Sequence, residues 1–145
     1  MRIAAGIFLI IASILNLIAG ITYFAGGGLA AGAGALAEGA NEAAVGGEVM
    51  SLVALGIFLL GIFLLVVMVL QIVGAVQSFR AKGAMLVLIT GALSIIAEVA
   101  GIVVVSFGIM NIVGLVAGIL AIMAGLQIKK AGEGAVAAPP AGMAA

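Results

Sequence analysis

The chain contains no cysteine and no histidine. The first absence excludes disulfides, thiolate nucleophiles and cysteine-ligated metals. The second removes the commonest general base, metal ligand and haem ligand. Charge is equally scarce. Lys, Arg, Asp and Glu together make up 7% of the 145 residues, against ~25% in soluble domains. A water-soluble surface cannot be covered with so few charges. The five basic residues are also too few and too scattered for a nucleic-acid interface. Tryptophan is missing and Tyr23 is the one tyrosine, so the aromatic belts that mark bilayer interfaces are thin.

What remains is apolar. Hydrophobic residues are 67% of the chain and glycine supplies 23 positions. A bilayer core of ~30 Å is crossed by ~20 apolar residues in a helix. Runs long enough to do so lie at about 3–24, 49–79, 84–105 and 109–128. The first exceeds the ~7–15-residue apolar core of a signal peptide and reads as a transmembrane helix. The fold expected is all-α, a small four-helix transmembrane bundle in one unit. Residues 25–48 begin Ala25-Gly26-Gly27-Gly28 and carry Glu38, Glu42 and Glu48. Glycine destabilises helices, so this stretch reads as a Gly/Ala-rich acidic loop, with a short helix allowed over 35–44. Residues 131–145, with Pro139 and Pro140, read as a flexible tail.

Four spans bring the basic residues to one face. Arg2 precedes the first span, Arg80 and Lys82 lie between the second and third, and Lys129 and Lys130 close the fourth. Glu38, Glu42 and Glu48 fall on the other face. Cytoplasmic segments carry the Lys/Arg excess, so both termini are expected in the cytoplasm and the acidic loop outside. Arg80, Lys82, Lys129 and Lys130 are candidate anchors for lipid headgroups.

Small residues set the expected packing. Gly114 and Gly118, Ala117 and Ala121, and Ala121 and Gly125 are each four apart on the fourth span, the spacing that lets membrane helices approach closely. Ser13, Asn16 and Gly20 share a face of the first. A similar small-residue echo runs through the third. Spans one, three and four are therefore expected to pack closely, with the bulky stretch 62–70 of span two turned to lipid or to a partner.

Glu98 stands alone as an ionisable residue inside a span. A carboxylate at that depth is costly unless paired, wetted or protonated, and every basic residue lies at the opposite face. Its candidate partners in the chain are neutral: Asn16, Ser94, Thr22, Asn111 or backbone carbonyls, with Asn16, Ser94 and Asn111 joining Glu98 in a polar interhelical or partner site. A cation or proton, or a basic residue of another subunit, would also answer the charge. Gln71 and Gln77 read as interfacial or interhelical. The acidic loop has no calcium-loop spacing, and Gly26-Gly27-Gly28 lacks the lysine of a nucleotide loop.

No catalytic set, metal cluster or cofactor motif is present in this reading. The expectation is a non-catalytic integral membrane protein, an accessory, assembly or scaffold subunit whose partners are membrane lipids and other subunits or itself. The alternative is a proton- or cation-translocating oligomer using Glu98. Gly/Ala-rich spans with one intramembrane glutamate resemble, in outline, the four-helix proteolipid subunit of rotary ATPases. Here the glutamate stands in the third span, and the tight glycine repeats of that family are missing. The chain is similar also to small four-span membrane proteins of bacteria and archaea, which implies a prokaryotic plasma membrane.

Overall fold

A computed structural model describes residues 1–38, 44–104 and 107–137. Four helices follow in order: α1 (Arg2–Glu38), α2 (Ala44–Arg80), α3 (Ala84–Val104) and α4 (Ile109–Ala137). Each contains an apolar stretch long enough to cross a membrane: Arg2–Ala30, Ser51–Arg80, Ala84–Val104 and Ile109–Gly134. The protein is a four-helix transmembrane bundle. Consecutive helices pack as neighbours and α4 closes the ring on α1; among the described residues α2 barely touches α4 across the diagonal, and the backbones of α1 and α3 stay apart.

The two outer-face expectations differ from this. Helix α1 does not stop near Phe24. It runs through Gly26-Gly27-Gly28 to Glu38, and α2 already begins at Ala44. The physical reason is packing against α2. A Cβ at Gly27 would fall 2.5 Å from the backbone nitrogen of Phe58, and one at Gly61 would fall 2.5 Å from the nitrogen of Phe24. The phenyl rings of Phe24 and Phe58 stack beside this crossing at 4.9 Å. Glycine weakens an isolated helix, but here it permits backbone-to-backbone contact that only a helix can use. At the other end of the chain, α4 continues past Lys130 to Ala137. Val105, Ser106, the loop residues Asn41 and Glu42, and Pro139 and Pro140 of the expected tail lie outside the described residues.

The pairing of helices also differs. The tightest partnerships are α1 with α2 and α3 with α4, so span one is apart from span three rather than packed on it. Gly91 and Gly118 join the second pair: a Cβ on either would come within 3 Å of the other's carbonyl oxygen. Buried positions recur at alternating three- and four-residue steps. On α2 they include Leu60, Leu64, Val67, Gln71, Gly74 and Ser78, and on α1 Ala5, Leu9, Ala12 and Asn16, with buried Gly61, Ala75, Gly6 and Ser13 beside them. That is the seven-residue repeat of left-handed helical bundles. The interior is rich in Ala, Gly, Ser and amides, while Ile, Leu and Val crowd the exposed faces, as a lipid solvent allows.

The turn between α2 and α3 is a Schellman motif. Lys82 N–H donates to the Gln77 carbonyl at 3.1 Å and Ala81 N–H to that of Ser78 at 3.3 Å. This places Ala81 in the left-handed region at φ 52°, where glycine is the usual residue. Gly83, at φ 62°, then starts α3 by accepting from Val87 N–H.

Candidate functional site

Two apolar clusters fill the bundle. One, around Leu9, Val87 and Ala121, lies toward the end where the basic residues collect. The other, around Leu60, Val67 and Ala97, lies toward the opposite end. Between them sits a polar layer. Asn16 Nδ2 donates to Gln71 Oε1 at 3.0 Å, and Gln71 Nε2 donates to Ser94 Oγ at 2.9 Å. All three residues are buried, Gln71 and Ser94 completely. Ser94 is the middle residue of α3, so the layer stands near mid-bilayer. Just beside it, Thr90 Oγ1 donates to the carbonyl of Leu70, against Gly74.

One turn further along α3 is Glu98, 7% exposed. Asn111 Nδ2 donates to its Oε2 at 2.9 Å. The orientation of that amide is pinned, because Asn111 Oδ1 accepts the backbone N–H of Gly108 at 2.8 Å. Asn111 thus performs two tasks. It caps α4 from the third position of the helix, as the glutamate of a capping box does, and it turns its donor end to Glu98. Gly114 makes room for the carboxyl: a Cβ there would collide with Glu98 Oε1.

A cavity of about 320 Å³ opens beside this group. Glu98, Asn111, Asn16 and Tyr23 supply its polar lining, and Leu64 and Ala97 are among its apolar walls. Glu98 lies six residues before the end of α3, about 9 Å at 1.5 Å per residue. The cavity therefore lies toward the end of the bundle away from the basic residues.

The structure brings the four sequence-derived residues into one region, as two connected pairs rather than a single cluster. Asn16 and Ser94 meet through Gln71; Glu98 and Asn111 meet directly; Asn16 and Glu98 share the cavity. Gln71 is the residue that sequence reasoning undervalued. It lies nine positions before Arg80, about 13 Å into the bilayer, and its place in the seven-residue repeat was the signal that it faces inward. Arg80, Lys82, Lys129 and Lys130 are exposed at one end of the bundle, where Lys129 also pairs loosely with Glu133 at 3.9 Å. Ser78 Oγ is the one fully buried side-chain polar atom, among the described residues, without a hydrogen bond.

Among the described residues no three His, Cys, Asp or Glu side chains gather where a metal could be held. No protein family, curated protein or solved structure matches the chain. Fold and site together define its class: a small four-helix membrane protein with a polar layer at its centre and one buried carboxyl.

Proposed function

We propose that the protein is a non-catalytic accessory, assembly or scaffold subunit of a larger membrane complex or homo-oligomer. In this reading it sits in a prokaryotic plasma membrane with both termini in the cytoplasm, and its basic residues meet lipid headgroups. The observation that carries the reading is the unequal height of the two hairpins. From the mid-membrane layer, α3 runs from Ser94 to its end at Val104, whereas α1 runs from Asn16 to Glu38 and α2 from Gln71 back to Ala44. At 1.5 Å per residue, the α1–α2 hairpin overtops α3 by roughly 18–25 Å. Glu38 and Glu48 belong to this overhang by position. A helical hairpin outside the bilayer, next to the low shoulder of α3, gives a partner both a membrane face and an extramembrane face to bind. Asn16, Gln71 and Ser94 bind one another, as do Glu98 and Asn111, which suits them to hold helices together rather than to carry out a reaction.

The second reading, a proton- or cation-translocating oligomer, is favoured by one feature. Thr90, Ser94 and Glu98 are four apart on α3 and all are buried, so they form a polar stripe from the cavity to the centre of the bundle.

Native extraction into lipid nanodiscs followed by mass analysis of the intact assembly tests the first reading. Retention of other chains at fixed stoichiometry is the expected result. Recovery as a monomer overturns the proposal. Recovery as a ring or dimer without other chains excludes the larger complex and leaves the homo-oligomer, and loss of ion flux in Glu98→Gln then decides for the second reading.

A further inference from the structure

The polar cavity beside Glu98 is asymmetric in its hydrogen bonding. Glu98 Oε2 is occupied by Asn111. Oε1 has no hydrogen bond among the described residues, and it is not one of the fully buried atoms, since Ser78 Oγ alone combines both properties. It therefore keeps some accessible surface; it lies against Gly114, and Glu98 is among the residues that line the cavity. No Lys or Arg lines that space. All basic residues lie at the other end of the bundle. The volume, about 320 Å³, would hold about ten waters at ~30 Å³ each. It has the size of a small-ligand pocket, walled mostly by apolar side chains with a few fixed polar groups.

We propose that this cavity binds a primary ammonium group, with Glu98 Oε1 as its anionic acceptor, Asn16 and Tyr23 completing the polar lining, and Leu15, Leu64 and Met110 covering the attached carbon chain. The geometry discriminates among cations. A guanidinium pairs best with both oxygens of a carboxylate at once, and Asn111 already holds one of them. Calcium takes six to eight oxygen ligands and magnesium demands six; a single carboxylate oxygen in a largely apolar wall is a poor match. An ammonium is a compact donor of three N–H groups with no acceptor need, and one free carboxylate oxygen with neighbouring amide and phenol groups suits it. Two sources carry this chemistry: a free alkylamine and the amine headgroup of a lipid reaching in from the adjacent interface.

The inference is independent of the accessory-subunit reading, because binding is read on the isolated protein and its failure leaves the native-extraction result untouched. The reporter is built in: Tyr23 lines the cavity, and the chain has no other tyrosine and no tryptophan. The protein in phosphatidylcholine nanodiscs, whose headgroup has no N–H donor, is titrated with n-butylammonium while Tyr23 emission is followed. A saturable change is expected, absent with 1-butanol. Glu98→Gln should weaken it by about tenfold to a hundredfold, the loss expected for one charge-assisted hydrogen bond. Ala19→Leu fills the cavity without removing any hydrogen-bonding group and should abolish the change, which keeps the test open if Glu98→Gln fails to fold. Replacing part of the lipid by phosphatidylethanolamine assigns the source. A weakened response to n-butylammonium makes the headgroup the occupant; an unchanged one makes it a free amine. Equal responses to n-butylammonium and 1-butanol, or a response that survives in Ala19→Leu, overturn the proposal.

Discussion

Gln71→Met should destabilise the bundle by about 1–3 kcal/mol. The substitution keeps a long unbranched side chain at a fully buried position on α2 and removes its hydrogen bonds to Asn16 on α1 and Ser94 on α3. Interhelical side-chain hydrogen bonds in membranes contribute ~0.6 kcal/mol on average and up to ~1.7, and two are lost. The assay is reversible unfolding by titration of sodium dodecyl sulfate into mixed micelles, read by helical circular dichroism. The reasoning has a sharper test. Replacing both partners of a buried hydrogen bond by apolar groups is far less costly than orphaning one of them. The triple variant Asn16→Leu, Gln71→Met, Ser94→Ala should therefore regain much of the stability that Gln71→Met alone loses. A loss below about 0.5 kcal/mol for the single variant would refute the view that this layer couples three helices. So would a triple variant as unstable as the sum of its three single variants.

Three other outcomes follow from particular contacts. Ala81→Gly should stabilise the protein by about 1 kcal/mol, since the left-handed conformation at φ 52° costs a Cβ-bearing residue ~1–2 kcal/mol; the same detergent titration measures it. Ser78→Ala should be neutral or stabilising by about 1 kcal/mol, because its hydroxyl is buried without a partner; a loss of stability would mean that the hydroxyl is bonded in the membrane. Gly114→Ala should cost about 1–3 kcal/mol, the usual range for overpacking, because its Cβ would take the place of the Glu98 carboxyl. Adding Glu98→Ala to Gly114→Ala should recover part of that loss, and a double variant worse than either single would argue against the contact.

The number and order of the spans were legible because bilayer thickness leaves a direct imprint on the length of an apolar run. So was the gathering of Arg2, Arg80, Lys82, Lys129 and Lys130 at one end, which alternating helix direction enforces. Helix ends were not legible from composition. Gly27 and Gly61 have a low intrinsic preference for helix, and their value emerges only when Phe58 and Phe24 press against them. Glu98 and Asn111 could be singled out by type, since a carboxyl inside a span needs a donor. The partnership of Asn16 with Gln71 could not be read from type alone, because Gln77, Ser94 and Asn111 offered similar chemistry and nothing in the chain names which helices touch. The inward faces were encoded less by hydrophobicity than by size and polarity. Ile and Leu are at home against lipid, so the seven-residue repeat of small and amide side chains carries the signal that apolar residues carry in water.

The pairing of the helices also bears on how the chain is made. When α2 leaves the ribosome, α1 is already available, and everything the first hairpin needs is in hand: the glycine crossing at Gly27 and Gly61, and an amide on each helix that answers the other, Asn16 to Gln71. The second hairpin is equally self-sufficient. Gly91 and Gly118 close it, and Glu98 finds Asn111 across its own short loop. The buried carboxyl of Glu98 and the Gln71 carbonyl oxygen are each answered within their own half while the other is synthesised. Each can enter the membrane as a nearly finished pair, and the bonds from Gln71 to Ser94 and from Thr90 to the Leu70 carbonyl are what remain to be formed when the halves meet.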